Sequence, residues 1–129
     1  DLGTATKVSV VDKSGAFRGG AIMPGMASSL DSLVTKASLL PRIRLQAPPK
    51  TVGSNTIDCM ESGIVFGTAA MVEGMTARIE EELGYPVTVV GTGGLGRVVF
   101  VHCRREIQRD DTLLLDGLRI IYEKNRKSV

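Results

Sequence analysis

"DLGTATKVSVVDKSGAFRGGAIMPG", residues 1–25, decides how the rest of the chain is read. Val8 and Val10 alternate with Lys7 and Ser9, the period of two that gives a strand one buried face. Asp12 and Gly15 hold the first and fourth positions of "DKSG", the pattern of a type I turn. "AFRGGAIM" then returns as a second strand, and Pro24-Gly25 ends it. Residues 1–23 are therefore expected to form a β-hairpin. The loop "DLGTAT" at its start places a carboxylate, a glycine and two hydroxyls within six residues. Such a run reads as an interior motif, so the chain is expected to be part of a larger functional unit.

Beyond the hairpin, Leu30, Leu33, Val34 and Ala37 share one face of a helix predicted over about 26–38. "PRIRLQAPPK" at 41–50 reads as a short strand or edge followed by a loop, because proline cannot donate to a ladder. The longest helical pattern follows "GSNT". Ile57, Met60, Ile64, Met71, Val72, Met75, Ile79 and Leu83 keep helical spacing, with Asn55 or Thr56 as N-cap and Gly84 as C-cap. Gly63, Gly67 and Gly74 interrupt it, each costing roughly 1 kcal/mol relative to alanine. Two explanations stay open: close packing on a sheet, or a helix–helix contact across a dimer. "PVTVVG" at 86–91 reads as a buried strand, and "TGGLG" turns the chain onward. "LLLDGLRIIYEKNRK" at 113–127 closes the sequence as a helix expected to turn Leu114, Leu118, Ile121 and Tyr122 inward. The order defines one layered α/β domain over residues 1–129.

The bulk composition narrows the partners. The 129 residues carry 16 basic and 14 acidic side chains, a formal charge of +2, too even to suggest nucleic acid or an anionic membrane surface. No apolar run is long enough to span a bilayer. Cys59 and Cys103 lie 44 residues apart, outside any CxxC spacing, and are expected as buried, reduced thiols of a cytoplasmic protein. His102, the only histidine, finds no partners spaced for zinc. Glycine is the excess, 15 residues where about 7% is average, which signals tight turns or close backbone approaches.

Three stretches could carry chemistry. In "DLGTAT" the glycine lets backbone N–H groups approach a phosphate, and Thr4 and Thr6 add hydroxyls. Asp1 tolerates a phosphate nearby only with a cation between them, so the loop suggests cation-assisted binding of nucleotide phosphate. "GTGGLG" at 91–96 matches the dinucleotide fingerprint, with Asp110 and Asp111 about 20 residues on. Only residues 97–129 follow it, too few for a nucleotide-binding half, and "RREIQR" is a poor buried strand. The alternative is a glycine turn lying flat against an adenine or ribose. "VGSNT", before the long helix, offers unpaired N–H groups to a carboxylate or other polar substrate group, or only a cap.

Taken in order, "DLGTATKVSVVD", "GGAIMPG", "GSNTIDCMESGIVFG", "VEGM", "TGGLG" and "DGLRIIYEKN" resemble the C-terminal half of a type III pantothenate kinase, from Asp1 to about Arg126. The resemblance implies a ribonuclease-H-like lobe of the actin-like ATPase fold, a mixed sheet opening with a β-hairpin and packed by helices. It implies ATP-dependent phosphorylation of pantothenate to 4′-phosphopantothenate, the first step of coenzyme A synthesis, by a cytoplasmic homodimer using Mg2+ and a monovalent cation (K+ or NH4+). By the same resemblance Asp1 is the monovalent-cation ligand, and Gly3 and Thr4 meet ATP phosphate. Gly93 and Gly94 line the adenosine site, and Thr56 contacts pantothenate. The family's N-terminal Asp-x-Gly-Asn-Thr loop and the Gly-x-Asp-Arg motif that bears its general base have no match here. The N-terminal lobe is thus expected to be missing, no catalytic base is assigned within the chain, and the chain alone is expected to be inactive. Alternative readings are a non-catalytic dimerising or regulatory module of the same fold, or a dinucleotide-binding oxidoreductase.

Overall fold

Asp12 makes the first turn. Its backbone carbonyl accepts from Gly15 N at 2.9 Å, and its carboxylate accepts from Ser14 N and Ala16 N. Gly15 follows with φ +83°, and the register slips between Val10 and Val11 to absorb the extra residue. In this computed structural model, which describes residues 1–126, strands β1 (Ala5–Val11) and β2 (Phe17–Pro24) pair antiparallel as the expected hairpin.

Helix α1 (Met26–Lys36) buries Met26 and Leu30. Leu33 was expected on the same face but stays 40% exposed. Residues 41–50 correct the sequence reading, because they form no strand. Ile43, Leu45 and Ala47 instead turn onto the core as a loop. Pro41, Pro48 and Pro49 remove the donors that a ladder would need. One buried charge sits under this loop: Glu61 accepts from Gln46 Nε2 at 2.9 Å.

The long helix α2 (Thr56–Leu83) runs 28 residues, capped by Asn55 and closed by Gly84 in the left-handed conformation. Met60, Ile64, Val65 and Ala69 meet Leu2, Met26, Leu30 and Val99 in the core. Ile57, the first residue of the helical spacing, is half exposed. Gly63, Gly67 and Gly74 decide against one of the two explanations left open for them. They lie on the exposed side, and a Cβ at each would meet nothing within 4 Å, so close packing on a sheet does not explain them.

Strand β3 is only Val90–Gly91, with Val90 44% exposed rather than buried. It pairs parallel with β4 (Gln108–Arg109), which the sequence reading missed because both residues face solvent and show no apolar pattern. Between them lie the short helix α3 (Gly96–Val99) and a 3₁₀ turn over Phe100–His102. The fold is α/β, with its antiparallel and parallel pairs in two separate two-stranded sheets rather than one mixed sheet. Glu80 ties these parts together: it accepts two bonds from Arg105, at 2.8 and 2.6 Å, and one from Val87 N. The Arg105 guanidinium and the Val87 amide hold its carboxyl below the usual glutamate range.

Helix α4 (Leu113–Arg126) confirms the expected helix but not its direction. Leu114, Leu118, Ile121 and Tyr122 are 55–72% exposed, so the face expected inward looks outward. Lys127, the last residue of the expected helix, lies outside the described residues. Both cysteines are free thiols, but Cys59 is exposed rather than buried. Cys103 is half-buried, and burial with nearby Glu73 pushes its thiol up to about 11.

Candidate functional site

The two glycine loops, 90 residues apart in sequence, meet at one end of the fold. Leu2 joins them. Its N–H donates to Thr92 O at 2.9 Å, and its carbonyl accepts from Leu95 N at 3.2 Å. Leu2 is itself a core residue, 4% exposed, so the loop is anchored by an apolar side chain set among polar ones. Gly93 closes the contact. Its φ is +102°, and a Cβ there would lie 2.5 Å from Leu2 N, so both conformation and space demand glycine. Gly94 differs: it is exposed, and a Cβ would meet nothing. Of the pair assigned to adenosine, only Gly94 offers an open surface, while Gly93 positions the loop.

The start of α1 presses on the first loop from another side. A Cβ at Gly25 would fall 2.1 Å from Thr4 O, and Ser28 Oγ donates to that carbonyl at 3.1 Å. The sequence reading treated Gly25 only as a strand breaker and missed Leu2 and Ser28. The signal for Leu2 was an aliphatic residue inside an otherwise polar loop. The Thr4 side chain is exposed, and Gly3 is half-exposed. Thr6, by contrast, is 2% exposed and its hydroxyl has no hydrogen-bond partner, which is costly for a buried oxygen.

Asp1 faces Lys7, with the ammonium 3.0 Å from its carboxylate and both side chains partly exposed. The lysine stands in for a single positive charge at the position that the resemblance gives to a monovalent cation. A carboxylate oxygen is a donor such an ion can use, and here the ammonium takes it up. Among the described residues, no three His, Cys, Asp or Glu side chains cluster to hold a metal. Asp1, Thr6, Lys7 and Thr92 line one end of a cavity of about 440 Å³. Val8, Val72, Ile79, Val87, Val89 and Phe100 make much of the remaining lining apolar, with Ser9, Thr76 and Thr88 among them.

Thr56 sits elsewhere. It lines an open groove of about 610 Å³ with Leu33, Asn55, Cys59 and Gly63. Asn55, not Thr56, caps α2, accepting from Asp58 N at 2.9 Å and donating to its carboxylate. The Thr56 side chain is therefore exposed and not used by the cap. Helix α1 connects the two places, with Gly25 against Thr4 and Leu33 in the Thr56 groove. At 1.5 Å rise per residue, Gly25 and Leu33 themselves stand roughly 12 Å apart along its axis. Asp110 and Asp111 serve local structure: Asp110 accepts from Thr112 N, and Asp111 pairs with Arg109 at 2.6 Å.

Fold and site together define an α/β domain with a polar, glycine-lined end. A crystal structure of a Campylobacter jejuni protein described as a Baf family transcriptional activator shares the fold, with TM-score 0.74 and 19% identity. That match covers 98% of this chain and 57% of the other. The family profile of type III pantothenate kinase matches residues 1–78, and the chain belongs to that family. A type III pantothenate kinase from Myxococcus xanthus is 44% identical over 128 residues, which are 99% of this chain and 50% of that protein. One from Exiguobacterium is 42% identical over 127 residues, 98% of this chain and 50% of that protein. The chain thus spans about half the length of the curated relatives it matches.

Proposed function

We propose that residues 1–129 form one domain, the C-terminal lobe of an actin-like, two-lobe kinase that transfers phosphate from ATP to the hydroxyl of pantothenate. The carrying observation is the junction of the two glycine loops through Leu2. It gathers Gly3, Thr4 and Gly94 at one end, beside a buried hydroxyl on Thr6 that lacks a partner. Thr4 and Gly3 meet the phosphates there, Gly94 gives adenosine a flat backbone, and Gly93 keeps the loop in place. The exposed Thr56 hydroxyl receives pantothenate at the groove that Leu33 of α1 also lines.

In the reaction the acceptor oxygen bonds to the γ-phosphorus, the bond to ADP breaks, and the hydroxyl proton passes to a base. No residue of this chain is assigned as that base, so it belongs to the other half of the family's proteins. Mg2+ carried by the nucleotide would neutralise charge on the transferred phosphoryl group, and no residue of this chain is assigned to hold it. The Asp1 carboxylate would hold K+ or NH4+ in place of the Lys7 ammonium, which now lies 3.0 Å from it and is 53% exposed. The setting is cytoplasmic. No helix of the described residues is long and apolar enough to cross a membrane.

The open glycines of α2 favour a homodimer and also keep the second reading in play, a dimerising module without catalysis. The dinucleotide reading has little to stand on. Helix α3 is four residues long, and Gly93 packs on Leu2 rather than opening toward a pyrophosphate. The test is pantothenate-dependent ADP release by this chain, alone and co-expressed with the half of the Myxococcus xanthus relative that it does not span. No turnover alone and potassium-stimulated turnover together is the expected result. Turnover by the chain alone would place the base on one of its own carboxylates, and ATP binding without turnover by the pair would favour the module.

A further inference from the structure

Lys7 stands directly across from Asp1. The two residues exchange both backbone bonds, Asp1 N donating to Lys7 O and Lys7 N to Asp1 O, each at 2.9 Å. That is the hydrogen-bonded pair of an antiparallel ladder, which sets the two side chains next to each other on one face. The adjoining pair, Leu2 and Thr6, bridges as well and turns to the opposite face, where both side chains are buried. A slip of one residue would bring those two out to solvent, so the core decides which side chain Asp1 meets.

The lysine makes use of that placement. Its Nζ lies 3.0 Å from Asp1 Oδ2. The other carboxylate oxygen, Oδ1, lies over the first glycine loop, where a Cβ added at Gly3 would come 3.5 Å from it. A carboxylate set beside a phosphate loop needs positive charge close by. Lys7 supplies one such charge from within the chain, on an oxygen that a free ion would also seek.

We propose that Lys7 is a tethered competitor for the monovalent-cation site: it neutralises Asp1 when no ion is bound, and K+ or NH4+ must displace it to enter. The inference rests on the reading of Asp1 as the ligand of that ion. Both side chains are partly exposed, and a pair of that kind is worth up to about fivefold in an equilibrium constant. The lysine therefore raises the potassium that the site needs without closing it.

The test uses this chain co-expressed with the half of the Myxococcus xanthus relative that it does not span, as wild type, Lys7→Gln and Lys7→Arg. Binding of a non-hydrolysable ATP analogue is titrated with potassium chloride, while tetramethylammonium chloride holds the ionic strength constant. Lys7→Gln is expected to lower the half-saturating potassium concentration about three- to fivefold, and Lys7→Arg, which keeps the charge, to leave it high. The potassium needed for half-maximal turnover should fall by the same factor. A half-saturation point that stays in place or rises in Lys7→Gln would overturn the proposal. So would a loss of analogue affinity that persists at saturating potassium, which would set Lys7 on the phosphates instead. Complexes that bind no analogue, or that bind it without regard to potassium in every form, remove the reading of Asp1 as a cation ligand and the proposal with it. Turnover is read separately: the expected shift in binding without phosphorylation of pantothenate upholds the competition and removes the kinase reading.

Discussion

Gly93 and Gly74 are the same residue in opposite surroundings. At Gly93 a Cβ would strike the Leu2 backbone at 2.5 Å, and the φ of +102° excludes most other side chains. At Gly74, in the middle of α2, φ is not unusual and a Cβ would touch nothing. The composition counts both toward one excess. The structure separates them into glycines the domain itself requires, where its two loops meet, and glycines whose reason lies outside the described contacts. One group holds the candidate site together, and the other leaves a surface bare.

The largest expected effect is at the crowded end. Gly93→Ala must adopt a strained backbone conformation and displace Leu2, whose side chain belongs to the core. We expect a loss of roughly 3–5 kcal/mol in chemical denaturation. A loss under about 1 kcal/mol, within reach of a simple glycine-to-alanine change, would mean that the loops part easily and that the junction is not the anchor of the site.

An intermediate effect tests whether the second loop depends on α2. Glu80 holds Arg105 and the Val87 amide, which flank the two-stranded sheet feeding that loop. Its folded carboxyl lies below the ordinary glutamate value, so the stabilisation is present above that value and fades as pH falls through the folded one. Glu80→Gln should lower the melting temperature at pH 7, and the gap from wild type should close toward pH 3. A gap that stayed constant with pH would show that shape, not charge, is what Glu80 supplies.

Much of this contrast was legible from the chain, and the illegible part has physical causes. The hairpin, α2 and α4 were all readable because each repeats its pattern over many residues: Val8 and Val10, Ile64 and Val72, Leu114 and Leu118. The candidate residues Asp1, Gly3, Thr4, Gly93 and Gly94 were readable as two motifs, yet their contact runs through Leu2 and Thr92, and no local pattern reports a hydrogen bond across 90 positions. Strand β4 was missed because two exposed residues carry no periodicity. The direction of α4 was misread for a different reason. An amphipathic pattern says that a face seeks cover, not that the cover lies in the same chain.

The smallest effect has two readouts of opposite sign. Gly74→Ala removes a flexible residue from a helix interior at a place where the added methyl group meets nothing within the chain. The isolated domain should gain about 1 kcal/mol, a rise of roughly 3–5 °C in melting temperature. Gly63, Gly67, Ala70, Gly74 and Ala77 follow one another at spacings of three and four along the exposed side of α2, so a second helix could approach there almost to backbone contact. If a copy of this chain uses that stripe, the same methyl group wedges the two helices apart, and sedimentation should show weaker self-association as the monomer grows more stable. A domain that is stabilised with its assembly unchanged would leave the glycines of α2 without a role in dimerisation. A domain that is destabilised would place Gly74 with Gly93, against a contact within the chain, and the distinction between the two regions would fail.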